Sequence, residues 1–576
     1  MKEATITPFA KPLYVMTKPV GAVCNLACDY CYYLEKAKLY EEQPRHVMSD
    51  ELLEKFIKEY IESQTMPQVL FTWHGGETLM RPLSFYKKAM ELQKKYAGGR
   101  TIDNCIQTNG TLLTDEWCEF FRENNFLVGI SIDGPQEFHD EYRKNKMGQP
   151  SFVKVMRGIN LLKKHGVEWN AMAVVNDYNA DYPLDFYRFF RDELDCHYIQ
   201  FTPIVERLSK RADGLKLSSL KQKDGEVAPF TVSPEQWGNF LCTIFDEWVK
   251  KDVGNYFIQI FDSTLANWVG QQPGVCSMAK YCGHAAVMEF NGDVYSCDHF
   301  VFPEYKLGNI YQKTLVEMMY SKEQEAFGAM KHNSLPRQCL DCQYEFACHG
   351  ECPKNRFVVT EDGEPGLNYL CKGYYKFFDH VAPYMDFMKK ELLAELENVQ
   401  QFTEQALYYA RSEHTEKDYS IREIQLSDVV HNAIADNKYL LRQSNMRITA
   451  DNLEHCVYTD DKWIRFILNQ LISNAVKYGT EQPALHFFTV RKQEHILLCI
   501  EDNGIGIPPG DLPRIFEKGF TGQNGRTGRN STGIGLYLCK RLCDKLGIGL
   551  TAYSKEKGTT LTLSFPVNDF VTGVQN

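Results

Sequence analysis

The sequence predicts an α/β protein of several domains, with a closed or partly closed barrel of parallel strands near its start. Its 576 residues exceed what one hydrophobic core holds, which predicts three or four domains. Between residues 69 and 260, short apolar runs alternate with amphipathic helical segments. Such alternation produces parallel strands joined by right-handed crossovers. A second type of composition begins near Ile421, which predicts a separate C-terminal domain.

Three polar turns follow predicted strands of the first region. They are "HGGET" after "QVLFTW", then "QTNG", and then "SIDGP". In barrels of this kind, polar residues just past the carboxyl end of each strand form the active site. The three turns therefore predict an active site at that end of the barrel.

Composition and charge exclude several classes of protein. A formal net charge of -11 argues against nonspecific nucleic-acid binding, which needs a basic surface. The N-terminus has no signal-peptide core, and no run of apolar residues is long enough to cross a membrane. We therefore predict a cytoplasmic protein with neither nucleic-acid nor membrane partners. In that compartment 19 cysteines indicate metal binding rather than disulfides.

The stretch "CNLACDYC" places Cys24, Cys28 and Cys31 close together, with three and then two residues between them. A closed zinc site or an ordinary iron–sulfur cluster needs four protein ligands. Three thiolates can instead hold three irons of a [4Fe–4S] cube and leave the fourth iron for a non-protein ligand. Spacing alone leaves a zinc site open as an alternative, with His46 or His74 as its fourth ligand.

A second group of cysteines lies in a Cys-rich region. It comprises Cys276, Cys282, Cys297, Cys339, Cys342, Cys348, Cys352 and Cys371. Eight thiolates suffice for two complete [4Fe–4S] clusters, with two zinc sites as the structural alternative. The remaining cysteines are scattered through apolar or helical contexts, where small buried hydrophobes are expected.

The N-terminal motif resembles the signature of the radical S-adenosylmethionine (radical SAM) family, with Tyr30 as the aromatic residue before the last cysteine. The resemblance implies that S-adenosylmethionine chelates the open iron through its amino and carboxylate groups. It also implies that the "GGE" segment, Gly75, Gly76 and Glu77, binds the cofactor's amino group. Glycines allow a close backbone approach, and a carboxylate pairs with an ammonium.

A closer resemblance covers about residues 8–390, through "CNLACDYCYY", "HGGET", "QTNGTLL", "SIDGP", "YSCDHF", "LGNI" and "NYLCKGY". This region is similar to the anaerobic sulfatase-maturating enzymes, which oxidise a cysteine or serine of a sulfatase to formylglycine. The resemblance implies a radical SAM partial (β/α) barrel, a twin-cluster (SPASM) domain and three [4Fe–4S] clusters. It further implies a Cys/Ser-x-Pro-x-Arg substrate motif and an electron donor such as flavodoxin or ferredoxin.

The same resemblance suggests roles for individual residues. Asp298 matches the family's base. Ser131 and Arg157 match residues that contact the ribose and carboxylate of the cofactor, and Tyr33 matches one near its adenosine. The implied interleaved ligand sets are Cys276, Cys282, Cys297 and Cys352 for one auxiliary cluster, and Cys339, Cys342, Cys348 and Cys371 for the other. His74 departs from the pattern, because some members carry Gln there.

The last third of the chain carries a different set of motifs: "FILNQLISNAVKYG", "EDNGIGIP", "IFEKGFTG" and "STGIGLYLCKRL". They resemble the N, G1, F and G2 boxes of the histidine-kinase ATP-binding domain, an α/β sandwich. The resemblance implies ATP, Mg²⁺ on Asn474, and an adenine contact at Asp502. It implies that Gly504 and Gly506 let the backbone approach the base. It also implies that Gly533 and Gly535 open a helix whose N-terminal amides can hold phosphates.

The predicted domains are 1–260 for the barrel, 261–385 for the auxiliary clusters, 386–420 for a helical linker and 421–576 for the ATP-binding domain. The linker resembles only the second helix of a kinase dimerisation hairpin, and no phosphoacceptor helix precedes it. His414 is interpreted as a solvated residue at the end of that helix. Kinase activity, and the choice between a natural fusion and a chimeric passenger domain, therefore stay open.

Two other functions compete with sulfatase maturation. One is a radical SAM enzyme that modifies other peptides with the same cofactor and twin clusters. The other is an ATP-binding signalling protein that uses its iron–sulfur part as a redox sensor. The aspartate in "YSCDHF" favours sulfatase maturation, and the missing phosphoacceptor helix weighs against the signalling protein.

Overall fold

The structure is a computed structural model that describes residues 12–42, 46–211, 214–217, 226–413, 420–522, 533–555 and 557–567. The chain divides into two compact units, Met1–Leu392 and Leu393–Asn576. The predicted boundaries near residues 260, 385 and 420 stay predictions. His414 lies outside the described residues.

A ten-stranded sheet organises the first unit. Six of its strands are β1 (Tyr14–Thr17), β2 (Gln68–Trp73), β3 (Thr101–Thr108), β4 (Phe126–Ser131), β5 (Trp169–Val175) and β6 (Tyr198–Pro203). Each strand from β2 to β6 pairs in parallel with the strand before it. The two edge strands of the described sheet, Phe257–Ile258 and Lys306–Asn309, do not pair with each other, so the sheet is open. This arrangement confirms the predicted α/β fold with a partial (β/α) barrel.

The Cys-rich region extends the same sheet. Its strand Ala285–Met288 pairs in parallel with β1, so that Tyr14 faces Ala285. Two further strands, Asp293–Tyr295 and Lys306–Asn309, continue the sheet in antiparallel fashion. Because this extension lies beside β1, the loop that carries Cys297 and Asp298 comes close to the cysteine loop that follows β1. At the opposite edge, Phe257–Ile258 pairs in parallel with β6.

Helices connect the strands and bury their apolar faces against the sheet. Local signals define their ends: the Thr114 hydroxyl caps the helix that starts at Asp115, and Ser233 with Gln236 forms a capping box. The α-helices of this region are Tyr33–Lys36, Asp50–Glu62, Leu83–Tyr96, Asp115–Glu123, Gln136–Tyr142, Phe152–His165, Pro183–Arg188, Pro234–Lys251 and Gln259–Trp268.

The remainder of the first unit is mostly helical. Its helices are Leu315–Met319, Lys322–Asn333, Arg337–Leu340, Glu345–Cys348 and Cys371–Glu413, the last of which continues past Leu392. Two small sheets add the strands Val358–Val359 and Pro365–Leu367, and Arg207–Arg211, Gly214–Leu217 and Glu226–Val227. One continuous cluster of buried apolar residues joins the barrel and the Cys-rich region.

The second unit has its own hydrophobic core. A five-stranded sheet has the spatial order Arg447–Asp451, Ala484–Arg491, His495–Asp502, Thr559–Pro566 and Gly549–Ser554. Its helices are Leu426–Asp436, Lys438–Gln443, Asp461–Lys477 and Gly535–Lys545, and Arg422–Gln425 pairs with Cys456–Thr459. Helices on a mixed sheet form the predicted α/β sandwich.

Among the described residues, no helix combines the length and the apolarity that a membrane span requires.

Candidate functional site

The three N-terminal cysteines lie in the loop between β1 and the helix Tyr33–Lys36. The "GGE" turn after β2 packs directly on this loop. The amide of Gly76 donates to the carbonyl of Gly21 at 2.8 Å, and the amide of Glu77 donates to the carbonyl of Val23 at 2.9 Å. The turn therefore fixes the backbone that leads into Cys24.

Glycine is required at Gly76 because the two backbones nearly touch. A Cβ atom there would lie 2.1 Å from the Val23 carbonyl oxygen and 2.4 Å from its carbon. At Gly75 the φ angle of +132° is one that L side chains rarely adopt. The pair thus forms a tight cradle, which fits the predicted close approach of backbone and cofactor.

Glu77 is completely buried, and its carboxylate accepts three hydrogen bonds from the protein. The donors are the Leu79 amide at 2.9 Å, the Thr108 hydroxyl at 2.7 Å and the Asn109 amide at 2.7 Å. Burial raises the pKa of Glu77, against the effect of these donors. In this arrangement the carboxylate holds the turn after β3, a role that the "GGE" motif did not indicate.

The turn after β3 also reaches the cysteine loop. The Asn109 side chain donates to Asn25 Oδ1 at 2.8 Å, and the Asn25 side chain donates to the Thr111 hydroxyl at 2.8 Å. Ser131 at the end of β4 accepts from the Gln107 side chain at 2.9 Å. Arg157 donates to the Thr111 carbonyl at 2.9 Å. Ser131 and Arg157 therefore both lie near the turn after β3.

Asp298 forms the centre of a dense polar cluster. Its Oδ2 accepts from the hydroxyls of Tyr32 at 2.6 Å and Tyr33 at 2.7 Å. Its Oδ1 lies 2.5 Å from Lys18 Nζ, and Lys18 also donates to Glu289 at 3.1 Å. Residues from the start of the chain and from the Cys-rich region therefore meet at this carboxylate.

The charges around Asp298 set its ionisation. Burial would raise the pKa of Asp298, but Lys18 and then Lys36 hold it well below the usual range of a carboxyl. Burial would lower the pKa of Lys18, yet Asp298 and Glu289 raise it. Lys36 donates to the backbone carbonyl of Asp298, and burial lowers its pKa to about 8. At neutral pH the Asp298 carboxylate is therefore ionised and paired.

Tyr33 connects this cluster to His74. The Tyr33 hydroxyl, which donates to Asp298, lies 3.1 Å from His74 Nδ1. His74 Nδ1 accepts from the Gly75 amide at 2.8 Å. Burial lowers the pKa of His74 to about 4, so the ring is neutral. His46 instead stacks on Phe290. Nδ1 of His74 is therefore engaged within the protein, whereas the stacking of His46 does not involve its ring nitrogens.

A second buried network supports the cysteine loop from behind. The Tyr30 hydroxyl donates to Asp133, and Arg143 donates to the Tyr30 oxygen at 2.9 Å. The Val174 amide donates to the other Asp133 oxygen at 2.9 Å. Sequence reasoning missed Asp133 and Arg143, as it missed Lys18, Tyr32 and Lys36. The "SIDGP" turn was the only signal that pointed toward Asp133.

The cysteines of the Cys-rich region fall into two groups of neighbours. Burial raises the pKa of most of these thiols, and nearby thiols raise it further within each group. The groups are Cys276, Cys282, Cys297 and Cys352, and then Cys339, Cys342, Cys348 and Cys371. Four thiol donors per group fit the ligand requirement of a [4Fe–4S] cluster.

Within the described residues, no three Cys, His, Asp or Glu side chains converge closely enough to hold a single metal ion. The thiolates of a cube attach to different irons, and they therefore stand further apart than the ligands of one ion.

In the second unit, the predicted nucleotide residues lie around the end of the strand His495–Asp502. The Gly504 amide donates to Asp502 Oδ1 at 2.8 Å, and burial raises the pKa of Asp502. A Cβ on Gly504 would lie 2.5 Å from the Tyr478 carbonyl oxygen. Asn474 is half-buried on the helix Asp461–Lys477.

The remaining glycines of the predicted nucleotide site flank a helix start. Gly506 and Gly533 have positive φ angles of 73° and 63°. Gly535 begins the helix Gly535–Lys545, as the phosphate-binding prediction requires.

Comparison with known proteins places these features in families. The Radical SAM superfamily matches residues 19–190, and an iron-sulfur cluster-binding domain (SPASM) matches residues 276–343. The serine-type anaerobic sulfatase-maturating enzyme of Bacteroides thetaiotaomicron is 82% identical over 394 residues, which cover 68% of this chain and 95% of that protein. The chain belongs to the anaerobic sulfatase-maturating enzymes.

Other relatives agree with this assignment. A cysteine-type anaerobic sulfatase-maturating enzyme of Clostridium novyi is 31% identical over 388 residues, 66% of this chain and 98% of that protein. The solved structure "native anSMEcpe with bound AdoMet and Cp18Cys peptide" is 31% identical, with a TM-score of 0.58, and the match covers 66% of this chain and 100% of that one.

These matches confirm the predicted enzyme class and cofactor classes, namely iron–sulfur clusters and S-adenosylmethionine. Residues 459–569 match the histidine kinase-, DNA gyrase B- and HSP90-like ATPase family, which confirms the predicted ATP-binding domain type.

Proposed function

We propose that this sulfatase-maturating enzyme oxidises the serine of a Ser-x-Pro-x-Arg segment to formylglycine, with flavodoxin or ferredoxin as electron donor. The buried Asp298 carboxylate beside the cysteine loop carries the proposal, because the reaction needs a proton acceptor there. The preference for serine is supported by the relatives: the serine-type enzyme is 82% identical and the cysteine-type enzyme 31%.

The cofactor assignments extend this proposal. Cys24, Cys28 and Cys31 would hold the first cluster, and the two groups of four thiols would hold one auxiliary cluster each. The cradle at Gly75 and Gly76 would receive the amino group of S-adenosylmethionine, with Ser131, Arg157 and Tyr33 as further contacts. When bound, the first cluster and S-adenosylmethionine supply the radical that removes a hydrogen atom from the substrate Cβ.

Asp298 Oδ1 would accept the proton of the substrate hydroxyl. Its contact in the described site is the ion pair to Lys18, whereas Oδ2 is held by two tyrosines. A carboxylate with a depressed pKa is a weak base, but the substrate hydroxyl becomes more acidic once the Cβ hydrogen has left. Serine would thus lose a hydrogen atom to the radical, a proton to Asp298 and an electron to an auxiliary cluster. Together these losses convert the alcohol to an aldehyde.

Matched peptides test the substrate proposal. The full chain is reconstituted with iron and sulfide without oxygen, then given S-adenosylmethionine, a reductant and a Ser-, Cys- or Ala-x-Pro-x-Arg peptide. Mass spectrometry is expected to show loss of two hydrogens from the serine peptide, equimolar 5′-deoxyadenosine and an unchanged alanine peptide. Cofactor cleavage with an unmodified serine peptide would refute the substrate but leave the radical chemistry in place.

For the second unit we propose ATP binding, with Mg²⁺ on Asn474 and the adenine amino group on Asp502. The support comes from the short Asp502–Gly504 turn, which leaves no room for a side chain between the strand end and the Tyr478 carbonyl.

Replacing Asp502 by Asn tests this nucleotide site. Loss of a charged hydrogen-bond acceptor costs about 1.5–3 kcal/mol, so the ATP dissociation constant is expected to rise about 10- to 100-fold in calorimetric titrations. The exposed Asp428→Asn in the same unit is the matched control and should bind ATP normally. Equal affinities of D502N and the unaltered protein would disprove the assignment.

A further inference from the structure

Lys331 is a fully buried lysine in the Cys-rich region. It lies near the end of the helix Lys322–Asn333. Its ammonium donates to the carbonyl of Cys276 at 2.8 Å and to the carbonyl of Ser277 at 2.6 Å. The positive charge therefore sits against the backbone of a proposed cluster ligand.

This charge lacks a carboxylate partner. Among the described residues, Lys331 forms no ion pair within 4.0 Å. Glu351, an acid of the same region, accepts instead from the side chains of Asn355 at 3.1 Å and Asn368 at 2.7 Å. A buried ammonium without a partner is costly unless another negative group compensates it.

A second cation increases the imbalance. The Arg356 guanidinium donates only to backbone carbonyls in its described hydrogen bonds, including that of Gly350 at 2.8 Å and that of Lys331. The carbonyl contact joins Arg356 to the backbone of Lys331, whose ammonium binds the Cys276 carbonyl. Two cations without a described carboxylate hydrogen-bond partner thus lie at this end of the helix Lys322–Asn333 and beside it. A cluster with four thiolate ligands is a net anion, and it would supply the missing negative charge.

We propose that Lys331 raises the reduction potential of the auxiliary cluster held by Cys276, Cys282, Cys297 and Cys352. The proposal rests on the ligand assignment made under the proposed function. Reduction adds an electron to an already anionic group, and a positive charge fixed nearby in a poorly solvated pocket stabilises the added electron. The single electron that the substrate radical loses would therefore be accepted more readily here, before it passes to the external redox protein.

Lys331→Gln separates charge from hydrogen bonding, because its amide can still donate to a carbonyl. The test uses the full chain with Cys24→Ala, Cys28→Ala and Cys31→Ala, so that only auxiliary clusters bind. Electron paramagnetic resonance at poised potentials then measures the reduced fraction of each cluster. In K331Q the ratio of reduced to oxidised cluster at a fixed potential is expected to fall at least about tenfold, equal to 59 mV for one electron.

Two controls define the outcome. Lys322→Gln removes an exposed charge from the same helix and should leave both potentials unchanged, and Lys331→Arg keeps the charge and should behave like the unaltered protein. The second auxiliary cluster serves as an internal reference. Unchanged potentials in a fully iron-loaded K331Q would overturn the proposal, as would an equal shift in K322Q.

Loss of iron is a separate outcome. If K331Q and Lys331→Met both fail to bind iron while K331R binds it, the residue is structural and the redox proposal fails. If the triple cysteine variant with Lys331 intact carries fewer than two auxiliary clusters, the ligand assignment fails instead. Iron and sulfide analysis detects this before any potential is measured.

Discussion

Replacing Asp298 by Asn is expected to lower formylglycine production by about 10²–10⁴-fold, the usual contribution of a positioned proton acceptor. The amide keeps the shape of the carboxylate and can still accept from Tyr32 and Tyr33. It cannot take the proton of the substrate hydroxyl, and it leaves Lys18 with Glu289 alone. Cleavage of S-adenosylmethionine should continue, because the cysteine loop is not altered. Mass spectrometry of the peptide and chromatography of 5′-deoxyadenosine measure the two steps separately.

Asp362→Asn is the matched control for this experiment, since Asp362 is exposed in the same unit. It should retain full activity and a full iron content. Normal formylglycine yield from D298N would remove Asp298 from the reaction. Loss of iron from D298N would instead show that the carboxylate is needed to form the site, since it follows the proposed ligand Cys297.

Replacing Gly76 by Ala is expected to prevent the first cluster from binding. The added methyl group would have to occupy a position 2.1 Å from the Val23 carbonyl oxygen, and the obstacle is backbone rather than a flexible side chain. Either the "GGE" turn or the loop that carries Cys24 must therefore move. We expect about four of about twelve irons per chain to be lost after anaerobic reconstitution. Overpacking of this kind also destabilises the folded state by about 3 kcal/mol.

Iron and sulfide analysis checks the first expectation, and thermal unfolding checks the second. Gly510→Ala is the control, because a Cβ there meets no atom within 4 Å. The auxiliary clusters of G76A should remain, since the thiols proposed for them lie beyond residue 275. A G76A protein that binds all its iron and cleaves S-adenosylmethionine would contradict the cradle described for the "GGE" turn.

The sequence alone determined the architecture and the cofactor chemistry of this enzyme. Alternating apolar runs and amphipathic helices predicted the parallel sheet, because period and length are local properties of the chain. The cysteine spacing and the four boxes of the last third likewise lie within short segments. Such motifs can be read without knowing which distant segments meet.

Only the tertiary structure decided which groups surround Asp298. Lys18, Tyr32 and Asp298 are separated by up to 280 positions, and they meet because the strand Ala285–Met288 pairs with β1. Two partners of Glu77 were equally unpredictable, since the Thr108 hydroxyl and the Asn109 amide reach it only because β3 lies beside β2. Lys331 carries no motif at all. The role proposed for Lys331 depends on its burial against the Cys276 backbone without a described carboxylate partner. Burial is a property of the packed molecule and not of its sequence.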